Sequence, residues 1–468
     1  MNATRRKFMR AAAAGGVAYA FGRTPGTVQA QVVGTGGFSD YKALVCVFMF
    51  GGNDSWNMVV PTSAAEYDKY SIARAGGTTS DLTIANASLL PLTPTTPLPN
   101  GLTLGLHPSM TGMKQLFDAG RAAVVTNVGP LIKPTTKAQY QTPGWELPPQ
   151  LFSHNDQQDQ WHSLRGKSLL KSGWAGRVAD LLASRTASQS LPLNLSLAGQ
   201  SLFQAGNVAT PYIMGTNGAN TFAGFGTSGI TLARRQAFEA IANGSATANT
   251  IYERGYAYVQ KRAVQYADQV NAQLAVGTAR DFTALPLTPP TGVTLSSLQQ
   301  QLRTVARLID RRAALGMSRQ IFFVSTGGFD SHDDLLADQP GLLGNISASL
   351  KSFYDALAEI GMEGSVTSFT HSDFGRTLTS NGDGSDHAWG GNQLVVGAAV
   401  RGQQIYGNFP SQIINGVDDV GGGRLIPTTS ADQYAATLAR WFGVADTDLI
   451  QVAPNINNFT QRELGFLV

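Results

Sequence analysis

The sequence has 468 residues, 34 of them basic and 31 acidic, with six histidines and a single cysteine, Cys46. A lone cysteine excludes an internal disulfide, so the fold must rest on a buried apolar core. Five cations (Arg5, Arg6, Lys7, Arg10 and Arg23) fall in the first 30 residues and no acid does, so the remainder has a net charge of −2, with no basic run or interleaved aromatic patch of the kind that binds nucleic acid.

Within that first segment, Thr4 to Arg10 is a twin-arginine pattern, Ala11 to Phe21 is a weakly apolar run rich in glycine and alanine, and Val28-Gln29-Ala30 is a small-residue cleavage site. This order predicts a signal peptide over 1–30, export through the twin-arginine route to the periplasm, and a single domain over 31–468. No later apolar run is long enough to span a bilayer.

Lys42 to Phe50 is a continuous apolar run of the kind that forms a buried parallel strand, closed by Gly51-Gly52-Asn53-Asp54-Ser55. Paired glycines permit a tight turn that presents Asp54 at the strand end. Asp54 reads either as a turn-forming Asx or as a ligand, and the recurrence of the pattern further along favours a ligand. Residues from about Gly76 to Gly105 carry Pro91, Pro94, Pro97 and Pro99 and read as an extended surface excursion. Ser109 to Phe117 has helical apolar spacing, and Ala122 to Val128 is a second buried strand, giving a right-handed βαβ crossover.

A proline-containing loop then delivers Ser153-His154-Asn155-Asp156 to a helix start. Ser153 and Asp156 have capping-box spacing, and a serine there is equally able to carry chemistry. The charge-poor stretch from Leu191, followed by helical patterns over Ala233 to Val276 and Leu295 to Leu315, predicts a helical insertion spanning about 191–315.

The richest stretch is Ile321 to Gly391. Two apolar runs end in G-F-D-S-H and S-D-F-G-R-T, separated by a helix with Leu342, Ile346, Leu350, Phe353 and Leu357 on one face, and G-S-D-H-A-W-G-G follows. Ligands of open α/β sheets sit at the carboxyl ends of strands. Asp330, His332, Asp373, Asp386 and His387 are oxygen and imidazole ligand types gathered at such ends, which points to a metal site. His107, beside a proline, and His162, in a polar helix, read as structural.

The motifs G-G-N-D-S-W-N, L-H-P-S-M, S-H-N-D-Q, G-F-D-S-H, S-D-F-G-R-T, D-H-A-W-G-G and I-Y-G-N-F-P occur in an order that resembles the exported bacterial family of domain of unknown function 1501. That family is similar to the alkaline phosphatase and sulfatase superfamily. The resemblance implies an α/β three-layer sandwich: a mostly parallel central sheet, helices on both faces, and ligands at carboxyl strand ends. It implies one or two divalent ions (Zn, Mn or Ca), with Asp54 and Asp373 on one and Asp330, His332 and His387 on the other, Asp386 and His154 adjoining. Ser153, or less favourably Ser55, takes the role of hydroxyl nucleophile, and Arg376 offers a donor fork to substrate oxygens unless it serves as a salt bridge. The chemistry implied is hydrolysis of a phosphate or sulfate ester by in-line displacement. The rival expectations are a non-catalytic partner of another exported protein or surface polysaccharide, and a glycan hydrolase working through paired carboxylates.

Overall fold

The computed structural model describes residues 37–222, 224–245 and 250–468. The twin-arginine pattern and cleavage site lie outside the described residues. The described residues form two compact units, 217–278 in one and 38–216 with 279–468 in the other.

The larger unit is built on a nine-stranded sheet. Its strands are β1 (Lys42–Met49), β2 (Ala122–Gly129), β3 (Asn194–Ser196), β4 (Tyr212–Ile213), β5 (Arg319–Thr326), β6 (Val366–Ser372), β7 (Gly391–Val396), β8 (Gln404–Tyr406) and β9 (Thr429–Ser430). They run in the order β8-β2-β7-β6-β1-β5-β3-β4, with β9 beside the end of β2. Only β7 is antiparallel to its neighbours. The central strands are buried on both faces, which is why they read as unbroken apolar runs.

Register explains where a site can form. Lys42 to Met49 pair with Arg319 to Thr326, and Ala43 to Met49 pair with Val366 to Ser372. Met49, Thr326 and Ser372 therefore end level, and the residues after each emerge at one edge. Because β7 runs the other way, the segment preceding it, including Ser385–His387, arrives at that same edge.

Helices cover both faces. Leu44, Cys46 and Phe48 alternate onto one side of β1 and join a core with Trp161 of α2 (His154–Ser163), Trp174 and Val178 of α3 (Trp174–Leu182), and Tyr434 and Leu438 of α6 (Ala431–Phe442). Three further helices pack together on the other side: α1 (Thr111–Asp118), α4 (Ser297–Asp310) and α5 (Leu335–Ala358). The expected three-layer α/β arrangement is the one found.

Two local readings change. The proline-rich excursion contains the strands Leu90–Leu92 and Leu104–Leu106, which pair with Val59–Pro61 in a small antiparallel sheet. Pro91 fits there because Leu90–Leu92 is an edge strand, with no strand paired on its outer side among the described residues. Of the stretch 191–315, β3 and β4 belong to the central sheet and Ser297–Asp310 packs on β5, so the separate unit is confined to 217–278. In that unit Gly229–Ser245 packs against Ile251–Leu274, Phe222, Phe225 and Phe238 cluster, and Arg235 bonds both Glu239 and Asp268.

Candidate metal centre

The turn after β1 brings the strand ends into contact. Gly51 has φ +117° and Gly52 φ +83°. A Cβ on Gly51 would stand 2.4 Å from the backbone nitrogen of Asp330, and one on Gly52 would strike the ring of Phe374 at 2.2 Å. Glycine is required by close approach as well as by backbone angle.

Asp330 lies at the middle of the cluster, and three imidazoles turn an Nε2 toward it. His332 Nε2 is 3.1 Å and His387 Nε2 3.2 Å from Oδ1, and His154 Nε2 is 3.4 Å from Oδ2. His332 and His387 are themselves 2.8 Å apart, Nε2 to Nε2. Ligand atoms of His154, Asp330 and His387 all lie within 4.8 Å of one another.

Each imidazole is held from behind. His154 Nδ1 is 2.7 Å from Asp373 Oδ2, and His387 Nδ1 is 2.9 Å from the carbonyl oxygen of Phe152. His332 Nδ1 faces Asp386 Oδ1 at 3.4 Å, and Asn381 Nδ2 donates to that oxygen at 3.0 Å. Oxygen acceptors at all three Nδ1 positions favour the tautomer whose Nε2 lone pair is free, the arrangement that orients metal-binding histidines. Donor chemistry and orientation fit a divalent ion held by His154, His387 and Asp330, with His332 adjoining through Asp330 and His387. Helix spacing supports this: His154 and Gln158, one turn apart on α2, both bond Asp373 Oδ2, Gln158 Nε2 at 2.9 Å.

Burial works against ionisation of Asp330, but the hydrogen bond and charge of Arg376, with His154 and His332, hold its pKa below the ordinary carboxylate value. Burial lowers the pKa of His387, against the pull of the Phe152 carbonyl, and so favours the neutral imidazole a metal requires. A hydrogen bond from Asn381 does most to lower the pKa of Asp386.

Four expected roles are not what the geometry presents. The Asp54 carboxylate is buried and accepts from Arg74 Nη2, from Ser385 Oγ at 3.0 Å, and from the backbone nitrogens of Trp56 and Asn57 at 3.2 and 3.4 Å. It caps the short helix Ser55–Met58 and stands outside the ligand group, because an arginine occupies its open side. Ser55 is buried and its hydroxyl accepts from the backbone of Asn392 at 2.8 Å. Arg376 is also buried and points inward: Nη1 reaches Asp330 Oδ1 at 2.7 Å and the Gly51 carbonyl at 3.1 Å, and Nε reaches the Ser385 carbonyl at 3.0 Å. It clamps three chain segments at the sheet edge and has no fork left for a substrate. Asp373, likewise buried, stands behind His154 instead of among the converging atoms.

Ser153 and Asp156 meet, but not as a capping box. The Ser153 hydroxyl donates to Asp156 Oδ2 at 2.7 Å, and no side-chain cap of a backbone N–H forms. Phe152, just before it, has φ +74°, a left-handed conformation unusual for an aromatic residue. Sequence reasoning gave no signal for Phe152, Gln158 or Arg74.

Fold and site together define an α/β protein with a candidate metal centre at the carboxyl edge of its sheet. The chain belongs to the family described as protein of unknown function DUF1501, which matches residues 41–451. No curated protein matches it. Among solved structures, it is similar to the crystal structure of Ps i-CgsB in complex with k-i-k-neocarrahexaose (TM-score 0.35, 9% identity, 88% of this chain and 74% of that one). It is also similar to a further structure of Ps i-CgsB (TM-score 0.34, 9% identity, 91% of this chain and 77% of that one).

Proposed function

We propose that the protein is an exported, metal-dependent hydrolase of phosphate or sulfate esters that uses one divalent ion. The observation that carries this reading is the common orientation of His154, His332 and His387, each held at Nδ1 by an oxygen with Nε2 turned toward Asp330. One ion is favoured over two because Asp54, the carboxylate expected on the second, is already paired with Arg74. Two imidazoles with one carboxylate favour zinc over calcium, which prefers an all-oxygen shell. Once bound, the ion supplies Lewis acidity toward the ester.

The protein groups around it have distinct tasks. Ser153 adjoins the ligand His154 in sequence, and its hydroxyl already donates to Asp156. Asp156 would take that proton as Ser153 Oγ attacks phosphorus or sulfur and the bond to the ester oxygen breaks, releasing the alcohol; water then cleaves the new bond to Oγ, freeing phosphate or sulfate and returning the proton to Ser153. Arg376 fixes Asp330, and Asp373 with Gln158 fixes His154.

The test is metal analysis of purified protein, followed by assays on aryl phosphate monoesters, diesters and sulfates with added Zn, Mn or Ca. About one ion per chain and turnover lost in Ser153→Ala are expected. Metal bound without turnover above the Ser153→Ala control would leave a non-catalytic binding protein as the better reading.

A further inference from the structure

The geometry points to Arg424 as the side chain that recognises the anionic group of a substrate at this centre, an inference that rests on the metal-site reading above. Three arginines meet residues of the site. Arg74 is spent on Asp54 and Arg376 on Asp330, whereas Arg424 enters no ion pair among the described residues. It is half-buried, with Nε 3.3 Å from the His387 carbonyl and Nη1 3.2 Å from the Gly421 carbonyl. Its guanidinium carbon lies 5.3 Å from the ring centroid of Phe152, whose own carbonyl holds His387.

These contacts place Arg424 in the wall between two ligand-bearing segments, the one entering α2 at His154 and the one carrying His387. Carbonyl bonds and the aromatic ring fix the plane of the guanidinium while neutralising none of its charge. Among the described residues Nη2 makes no hydrogen bond. A planar cation so held offers hydrogen bonding to a tetrahedral oxyanion at little entropic cost. The role that the sequence suggested for Arg376 therefore moves to Arg424, and the substrate class becomes one with an anionic phosphoryl or sulfuryl group, with neutral esters disfavoured.

The experiment is calorimetric titration of inorganic phosphate, and separately sulfate, into zinc-loaded full chain, comparing wild type with Arg424→Met and Arg424→Lys. Zinc stoichiometry and the thermal midpoint are measured on the same samples. Expected are 1:1 binding of at least one anion to wild type, a loss of about ten- to a hundredfold in Arg424→Met, and partial retention in Arg424→Lys, with zinc stoichiometry unchanged. Zinc uptake with anion affinity within twofold across the three proteins, or with no anion binding to wild type, overturns the role of Arg424. Failure to take up zinc overturns the metal-site reading and this inference with it.

Discussion

His332 Nε2 and His387 Nε2 face each other at 2.8 Å, and Asp330 Oδ1 lies 3.1 and 3.2 Å from them. Two imidazole nitrogens at that separation accommodate one shared proton or a cation, and repel when both carry protons. Replacing His387 with alanine, or Asp330 with asparagine so that an oxygen acceptor for the buried Arg376 remains, is expected to reduce bound metal below about half an ion per chain without unfolding. Asp373→Asn retains the shape but gives His154 a weaker acceptor, and an affinity loss of about 10- to 100-fold is expected in competition with a chelator. Wild-type metal affinity in Asp373→Asn would remove Asp373 from any role in orienting His154.

Asp54 separates a structural from a ligand role. Its ion pair with Arg74 is buried on both sides. Asp54→Ala leaves the guanidinium uncompensated and is expected to cost about 3–5 kcal/mol in urea unfolding. The folded fraction should still bind metal at wild-type stoichiometry. The opposite outcome, normal stability with lost metal, would restore Asp54 as a ligand.

Phe152 offers a test of backbone strain at the site. With φ +74°, it adopts a conformation that costs a non-glycine residue about 1–2 kcal/mol. Phe152→Ala retains that cost and loses the ring that packs beside Trp389 and Ile426. Phe152→Gly loses the same ring but relieves the strain. Glycine is therefore expected to be the more stable variant by roughly 1 kcal/mol, the reverse of the order in a helix. Thermal unfolding of the two proteins decides it, and alanine equal to or better than glycine would mean the strain is absent.

The strands and the edge at which they end were legible because burial on both faces writes an unbroken apolar run, and parallel pairing in level register brings Asp330 and Asp373 to the same edge on either side of β1. The antiparallel course of β7 was not legible, yet it is what returns His387 to the same edge, because Gly391 to Val396 looks like any other apolar strand. Partner choice was the weakest part. Arg74 follows the end of the helix Ala64–Ala73 with nothing in its neighbourhood to reveal a partner 20 residues back, and Arg376 was indistinguishable by sequence from a substrate-binding fork. Both assignments depend on which way a long side chain turns once the sheet edge has formed: Arg376 is turned inward by the Gly51 and Ser385 carbonyls, and Arg74 by Asp54 and the Thr377 carbonyl.

The histidines outside the site make a prediction about acid stability. Burial lowers His162, packed on Phe48 and Phe323, to a pKa of about 3, and His107 to about 4. Both are below the unfolded value, so the native protein holds them neutral while the unfolded chain takes up their protons first. Their stabilising contribution is complete above about pH 6.5 and falls as pH drops from there toward 4 and 3, by up to about 1.4 kcal/mol per histidine per unit. Asp432 opposes them: burial, only partly offset by hydrogen bonds from Asn455 and Ser430 and by Arg177, raises it to about 7. Its folded pKa lies above the unfolded one, so its contribution is full below about pH 4 and is lost as pH rises toward 7. Urea titrations at pH 5 and pH 7 should therefore show a smaller loss at pH 5 in His162→Leu than in wild type, and a larger loss in Asp432→Asn, which removes the opposing group. Equal pH dependence in all three proteins would mean that neither His162 nor Asp432 keeps its native-state protonation across this window.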